Sequence, residues 1–283
     1  MAGAMAGRAS GARRVLVPAL VAVGGAAAAS GILIWWRWLS RRRAFWRLRL
    51  SDAIPVHSAY WRARRKGGGD LRYVAIGDSA AQGIGASRPA NGYVGFLVRD
   101  LSRATGRSFR VDNLAISGAT VGIALERELP VLEQILASEQ PPDLVTVAIG
   151  ANDLADWDAA RFDREIRELF ARLPGHALVA DLPSFYFLPE QRDVRLANRL
   201  LRAAAAERGL EVVPLHRMTD RQGLFGVVTQ FAGDLFHPND RGYRIWAAAF
   251  LPAALDRLRE ARARRRTAPA RNTDGPRPRC MRP

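Results

Sequence analysis

The feature that most restricts the fold is an alternation of short apolar runs with longer amphipathic segments between residues 71 and 260. Runs of four to six residues predict strands, and apolar residues repeated at helical spacing predict helices. The predicted strands cover residues 73–76, 109–114, 144–149, 177–180 and 210–213, and the predicted helices cover residues 93–104, 121–136, 159–173, 191–208 and 241–263. Strands that alternate with helices require crossover connections, so we predict a three-layer α/β domain with a central parallel sheet of about five strands.

The net charge of +16 would by itself favour a nucleic-acid binder. Its distribution argues against that class of protein. Residues 1–66 carry 13 Lys and Arg against Asp52, and residues 261–283 carry eight Arg against Asp274, which leaves a net charge of −3 for residues 67–260. The basic charge therefore belongs to the two ends of the chain, and we expect no nucleic-acid partner.

Residues 15–36 form an uncharged apolar run bounded by arginines. As a helix this run would be about 33 Å long, enough to cross a hydrocarbon core of roughly 30 Å. Three tryptophans (Trp35, Trp36 and Trp38) lie at its end, as is typical of a membrane interface. We predict a membrane anchor with basic flanks over residues 1–50, a glycine-rich linker over 51–70, the α/β domain over 71–260 and a basic disordered tail over 261–283.

A cleaved signal peptide is the alternative for this N-terminal run, with the alanines at positions 26–29 near its cleavage site. The apolar run is longer than the 7–15 residues usual in signal peptides, which favours an uncleaved single-pass anchor. Six arginines follow the run within 15 residues against three before it, so the positive-inside rule favours a cytoplasmic domain. An extracytoplasmic or secreted domain is the alternative.

Four polar segments follow predicted strands or precede a predicted helix. They are GDSAAQGIG at residues 77–85, NLAISG at 113–118, GAND at 150–153 and DLFHPN at 234–239. Each has an ordinary explanation as a turn, a helix cap or a surface pair. Ligands of parallel α/β sheets bind at the carboxyl ends of the strands, so four such segments together predict an active site there.

These segments resemble the four signature blocks of the SGNH or GDSL family of serine esterases and lipases, across about residues 71–250. The resemblance implies the flavodoxin-like SGNH fold, with Ser79 as nucleophile, His237 as base and Asp234 as the acid that orients it. It also implies an oxyanion hole made by the backbone N–H groups of Ser79 and Gly118 and the side chain of Asn152. One departure is Ala80, where the family usually has leucine.

The residue types fit that chemistry. A serine hydroxyl becomes a good nucleophile when a neighbouring histidine takes its proton. Three-residue spacing lets Asp234 and His237 come from one loop. We expect Asp78 and Asp153 to brace turns rather than react. We reject His57 and His176 as bases because they lie in the predicted linker and at a strand start, and His216 because it lies near no carboxylate that would make it a better base than His237.

We expect no metal and no cofactor. The four histidines are too scattered for a zinc site, and a lone Cys280 supplies no metal cluster. The glycines of GDSAAQGIG suggest a dinucleotide loop only faintly, because Arg88 stands where a third glycine would be needed.

Three aromatic residues, Trp157, Phe185 and Phe187, follow strand ends near the predicted site. They either line an acyl pocket or cover the core, and the sequence does not separate these two roles. The anchor favours a lipid or lipid-linked ester as substrate, and removal of acetyl groups from a carbohydrate is an alternative. A non-catalytic membrane adaptor that retains the fold is the rival from another class, and the sequence carries no indication of oligomeric state.

Overall fold

The computed structural model of the chain describes the backbone of residues 9–186 and 190–267 and the side chains of residue 31 and of residues 33–186 and 190–263. Its centre is a five-stranded parallel sheet in the order β2-β1-β3-β4-β5. The strands are β1 Leu71–Gly77, β2 Phe109–Asn113, β3 Leu144–Ala148, β4 Leu178–Ala180 and β5 Glu211–Val213. All five predicted strands are confirmed to within two residues at each end.

Helices connect the strands and cover both faces of the sheet. They are α1 Ala9–Lys66, α2 Ser79–Gln82, α3 Tyr93–Thr105, α4 Val121–Ile123, α5 Leu129–Leu136, α6 Ala159–Ala171, α7 Gln191–Glu207, α8 Leu215–Asp220, α9 Gly223–Thr229 and α10 Asp240–Thr267. The predicted helix over residues 121–136 is interrupted, because Ala124–Glu128 adopts π-helical hydrogen bonding between α4 and α5. The short helices α8 and α9 were not predicted.

Side chains alternate across the sheet and build two cores. Tyr73 and Ala75 of β1 face the core made with α3 and α10, whereas Val74 and Ile76 face the core made with α5, α6 and α7. Because both faces are covered, the central strands are mainly apolar, and the one polar residue of β3, Thr146, is hydrogen-bonded to the Tyr73 hydroxyl at 2.7 Å. The predicted three-layer α/β architecture is confirmed.

The prediction of a linker over residues 51–70 is wrong for residues 51–66, which are the last turns of α1. Leu50, Ile54, His57 and Trp61 recur at helical spacing on one face, and Leu50, His57 and Trp61 are buried against the domain. Basic residues follow this stripe directly in the sequence, at Arg62, Arg64 and Arg65, which obscured its helical spacing. The glycines that follow Lys66 do end the helix, so only a short connection separates α1 from β1.

Within the described part of the chain, no helix is long and apolar enough to cross a membrane. Most side chains of the predicted span, residues 15–36, lie outside that part. At the other end, residues 261–267 continue α10 rather than beginning a disordered tail. Residues 268–283 of the predicted tail lie outside the described residues.

Candidate active site

The nucleophile turn lies where β1 passes directly into α2. The side chain of Asp78 caps α2 by accepting a hydrogen bond of 2.9 Å from the backbone N–H of Ala80. This cap fixes Ser79 as the first residue of the helix, at the carboxyl edge of the sheet. The chain turns away again at Gly83, whose left-handed conformation a glycine adopts without strain.

The loop before α10 presents Asp234 and His237 on the same side. The carboxylate of Asp234 accepts bonds of 3.1 Å from the backbone N–H groups of both Phe236 and His237. Leu235, between them, has a left-handed φ of 57°, which is costly for a residue with a side chain. The two backbone bonds to Asp234 and a 3.0 Å bond from the N–H of Leu235 to the carbonyl of Ala232 stabilise this conformation.

A chain of hydrogen bonds joins residues that are 158 positions apart in the sequence. Ser79 Oγ lies 2.9 Å from His237 Nε2, and His237 Nδ1 lies 2.6 Å from Asp234 Oδ2. Close approach of the two loops depends on Gly85, where an added Cβ would lie 2.5 Å from the carbonyl oxygen of Pro238 and 2.8 Å from His237 Cβ. The structure therefore brings the three predicted triad residues together in hydrogen-bonding order.

Electrostatics fit this arrangement. Burial raises the pKa of Asp234, but the hydrogen bond from His237, its charge and the two backbone N–H groups outweigh that effect and place the pKa below its ordinary value. Asp234 is therefore ionised at neutral pH. An ionised carboxylate at Nδ1 keeps the proton on that nitrogen and leaves Nε2 free to accept one from the serine.

Gly118 and Asn152 lie at the ends of the strands on either side of β1. Gly118 has a φ of 81°, and an added Cβ would meet no atom within 4 Å, so this residue faces open space. The Asn152 Nδ2 group donates to Asp78 Oδ2 at 3.2 Å and to the carbonyl of Ala119 at 2.9 Å. Both of its hydrogens are thus already used, and the longer bond to Asp78 is the one that a stronger acceptor would displace.

Glu128 is a buried carboxyl group that sequence reasoning missed. Its side chain is fully buried, and Oε2 accepts a 2.9 Å hydrogen bond from the backbone N–H of Gly77, at the base of the nucleophile turn. Burial raises the pKa of Glu128 to about 8, and burial likewise raises the pKa of Asp78 to about 6. A signal existed, since Glu128 falls on the helical stripe formed by Val121, Ala124, Leu132 and Ile135, where an acid is out of place.

Asp153 behaves as predicted for a residue that braces a turn. Its carboxylate accepts a hydrogen bond of 3.1 Å from the backbone N–H of Val121, at the start of α4. Burial raises its pKa to about 6. This contact ties the loop that carries Asn152 to the segment that follows Gly118.

The three predicted pocket aromatics lie in different surroundings. Trp157 packs on Phe162, with ring centroids 5.3 Å apart, and contacts the core beneath α6. Phe185 packs edge-on against Phe236, which itself packs edge-on against the imidazole of His237 at 5.1 Å. Phe187 lies outside the described residues. The aromatic surface beside the site thus includes Phe236, which the sequence analysis did not single out although it lies inside the Asp234–His237 segment.

The rejected histidines have other partners. His57 is buried in α1, where its Nδ1 lies 2.9 Å from the carbonyl oxygen of Gln82. His216 Nε2 lies 3.1 Å from the amide nitrogen of Gln191. Among the described residues, no group of three or more His, Cys, Asp or Glu side chains could hold a metal ion.

Comparisons with known proteins place this geometry in context. The family model described as GDSL-like lipase/acylhydrolase matches residues 75–245. No protein of curated function matches the chain. Similar solved structures include LAE5, an α/β hydrolase enzyme from the metagenome of Lake Arreo, at 23% identity and a TM-score of 0.53, covering 68% of this chain and 98% of LAE5.

Two further structures are similar. The acetylxylan esterase Axe2 from Geobacillus stearothermophilus is 23% identical with a TM-score of 0.51, and the match covers 66% of this chain and 95% of Axe2. The lipase/acylhydrolase from Enterococcus faecalis is 21% identical with a TM-score of 0.54, over 66% of this chain and 96% of that enzyme. At these identities the structures show a shared fold. The family match begins at residue 75, so all of α1 lies before it.

Proposed function

The protein belongs to the GDSL-like lipase/acylhydrolase family, since the family model covers more than half of the chain, and we propose a reaction on that basis. The proposed reaction is the cleavage of carboxylic esters, with Ser79, His237 and Asp234 as a catalytic triad. Family membership makes the chain an ester-bond hydrolase. The observation that carries the assignment of roles is the unbroken series of hydrogen bonds from Ser79 Oγ through His237 to Asp234.

In the first half of the proposed reaction, Ser79 Oγ attacks the carbonyl carbon of the ester while its proton passes to His237 Nε2. The tetrahedral intermediate collapses when the alkoxide leaves with that proton, and an acyl-enzyme results. In the second half, water attacks the acyl group with His237 again as base, and the released acid restores the serine hydroxyl. Asp234 stabilises the imidazolium in both halves.

The negative charge on the carbonyl oxygen would be stabilised by the N–H groups of Ser79 and Gly118 and by Asn152 Nδ2. Of the two hydrogen bonds that Asn152 Nδ2 donates, the one to Asp78 is the longer, at 3.2 Å against 2.9 Å to the carbonyl of Ala119, so it is the one an oxyanion would replace. Exchange of the 3.2 Å bond to Asp78 for a bond to the oxyanion would therefore accompany catalysis.

Two kinds of acyl group are candidates for the substrate. The exposed ring of Phe236 and its neighbour Phe185 offer an apolar surface beside His237, which supports an acyl pocket there. A carbohydrate acetyl ester is the second candidate, favoured by similarity to the acetylxylan esterase Axe2. Esters of graded chain length distinguish the two, since Phe236→Ala lowers the rate for long chains alone if these rings bind the acyl group.

A fluorophosphonate probe tests the proposed nucleophile. We expect the full chain, in neutral detergent, to be labelled and Ser79→Ala to lose the label, with Ser102→Ala as the control because it is a serine of α3 outside the proposed site. Absence of labelling in the unmodified protein, together with no hydrolysis of any ester tested, would favour the non-catalytic adaptor.

We also propose that residues 15–36 anchor the protein to a membrane, with the domain on the cytoplasmic face. The support is the length of the apolar run and the arginines that follow it. Carbonate extraction of membranes and protease protection of a C-terminal tag test the two parts separately. Release by carbonate would contradict the anchor, and protection of the tag in intact cells treated with external protease would support the cytoplasmic orientation.

A further inference from the structure

A cavity of about 390 Å³ lies between the last turns of α1 and the loop that follows β2. Trp61, Arg62 and Arg65 line it from α1, and Gln82 and Ser117 line it from the domain. Two of these residues adjoin the proposed catalytic groups, because Gln82 is three positions from Ser79 and Ser117 precedes Gly118. Neither Ser79 nor Gly118 lines the cavity, but residues of the segments that carry them do, so the cavity lies against the α2 turn and the oxyanion loop.

Hydrogen bonds fix the wall that α1 contributes. The backbone carbonyl of Gln82 accepts a bond of 2.9 Å from Trp61 Nε1, and His57 Nδ1 lies at the same distance from that oxygen. Across the cavity, the Ser117 hydroxyl donates to Gln82 Oε1 at 2.7 Å. The helix and the oxyanion loop are thus hydrogen-bonded to the same glutamine.

The polar groups of the inner wall are already paired within the protein. Asn113 donates from Nδ2 to the carbonyl of Ala81 at 2.7 Å and accepts at Oδ1 from the N–H of Ala115. With Trp61 and Ser117 also paired, the guanidinium groups of Arg62 and Arg65 are the main donors left to a ligand. Such a lining recognises charge better than it recognises a neutral sugar or an acyl chain.

The charge at the cavity mouth is positive. Arg62 is exposed and makes no ion pair with any side chain that the structure describes. Arg65 lies 2.9 Å from Asp112, but that one buried carboxylate also faces Arg72 and Arg110. Three guanidinium groups around one carboxylate leave a surplus of positive charge at the end of α1, where Arg65 lines the cavity.

We propose that this cavity is a subsite for an anionic group, a phosphate or a carboxylate, carried by the ester substrate. The inference rests on the proposed function, since residues of the segments that carry Ser79 and Gly118 line the subsite. The arginines of the subsite come from α1, which lies outside residues 75–245, the range that the family model matches. The subsite would therefore give this chain a substrate preference that its family domain alone does not provide.

The test compares two soluble esters with the same acyl group, one with a phosphate on the alcohol and one neutral, using the full chain in neutral detergent. The measured quantity is the ratio of kcat/KM for the anionic ester to kcat/KM for the neutral one. We expect Arg62→Gln to lower this ratio about tenfold, because a charge-assisted hydrogen bond is lost. Arg64→Gln, on the same helix but not lining the cavity, leaves the ratio unchanged.

A second arm supplies the anion on a lipid, with an ester of an anionic phospholipid in vesicles of phosphatidylcholine. Dependence on Arg62 in the soluble arm supports a free anionic ester, and dependence in the vesicle arm alone supports a lipid phosphate in the same cavity. Equal effects of Arg62→Gln and Arg64→Gln, or no effect in either arm, would overturn the subsite. Failure to hydrolyse any ester would instead overturn the proposed function.

Because Arg65 is paired with Asp112, Arg65→Gln serves as a second variant rather than the first. Arg72 still neutralises Asp112 in that variant, so the protein is expected to fold. Its melting temperature is measured beside the rate ratio. A lowered ratio at an unchanged melting temperature supports a role in binding, and a lowered melting temperature at an unchanged ratio counts against Arg65 as a ligand of the anion.

Discussion

Two regions of the molecule meet at the loops of the active centre, and they are held together by different interactions. The catalytic edge, which comprises Ser79, Gly118, Asn152, Asp234 and His237, is organised by hydrogen bonds between loop residues at the ends of strands. The second region, residues 46–61 of α1, packs on the same loops largely through apolar side chains, with the indole of Trp46 against Gly233 and Leu50 beside Ile84 and Ala232.

This difference predicts that substitutions in the two regions affect turnover and stability differently. A side chain at the catalytic edge contacts the reacting groups, so its loss should lower turnover and leave the fold intact. A side chain of α1 supports the loops from behind, so its loss should lower stability first. Turnover and stability are both measured for each of the following variants. A catalytic-edge variant that loses stability at unchanged turnover, or an α1 variant that loses turnover at unchanged stability, would contradict the comparison.

The largest effect is expected for Asp234→Asn. An amide cannot hold the proton on His237 Nδ1 as the carboxylate does, so we expect turnover to fall on the order of 10⁴-fold, the size reported for the corresponding change in a serine protease triad. Melting temperature should change little. Asp256→Asn, at an exposed carboxylate, is the control, and a loss in Asp234→Asn of less than about tenfold would show that the carboxylate does not orient the base.

Next comes Trp61→Ala in α1. The indole is buried and donates to the Gln82 carbonyl, so its removal should lower the free energy of unfolding by roughly 3–5 kcal/mol. Denaturant unfolding measures this. Phe45→Ala removes an aromatic ring that is mostly exposed on the same helix and should cost far less. Equal costs for the two variants would mean that α1 does not support the domain.

Asn152→Ala tests the oxyanion hole. Removing one such donor costs about 10²–10³ in turnover, with little effect on KM. Because Asn152 also donates to the carbonyl of Ala119, a modest loss of stability is expected as well. Asn91→Ala, at a polar contact away from Ser79, serves as the control. A rise in KM without a fall in kcat would contradict stabilisation of the transition state.

The smallest effect concerns the pH dependence of stability and the buried Glu128. Burial raises its pKa from the ordinary 4.5 to about 8, so the folded state holds the proton more tightly than the unfolded state. The stability that this protonation provides is therefore present below about pH 4.5 and is lost as the pH rises through about 8.

Glu128→Gln keeps the shape of the side chain and cannot ionise, so it should flatten this decline. At alkaline pH we expect a gain of roughly 1–4 kcal/mol over the unmodified chain. Melting temperatures from pH 4 to 9 provide the measurement. Glu133→Gln is the matched control, because the hydrogen bond from Arg172 lowers the pKa of Glu133 and its replacement should give no alkaline gain. A parallel pH profile for Glu128→Gln and the unmodified chain would contradict the shift.

Much of the catalytic edge was predictable because its segments are local. Each strand end is followed by a short motif, and the order of strands in a parallel sheet brings such motifs to one edge. Glu128 and Phe236 were missed for different reasons. Glu128 contacts Gly77 across 51 positions of sequence, and Phe236 gains its importance from packing on His237 and Phe185, which no local pattern specifies.

Helix α1 shows the limit more clearly. Its basic composition and the three glycines that follow it predicted a linker, whereas the buried stripe that ends at Trp61 makes it part of the domain. These residues could be recognised as one buried face only after the domain surface that they pack against was known. The same packing creates the cavity beside Ser117, which involves residues that no motif connects.

By itself the sequence determined the layered α/β fold, since the period of its apolar residues specifies strands and helices, and it determined the residue types able to perform ester hydrolysis. Only the tertiary structure decided which of these groups meet. The distance of 2.9 Å between Ser79 and His237 depends on two loops 158 residues apart in sequence that approach over Gly85. The pKa of Glu128 depends on burial by side chains from other elements, because desolvation is a property of the packed interior and not of the chain.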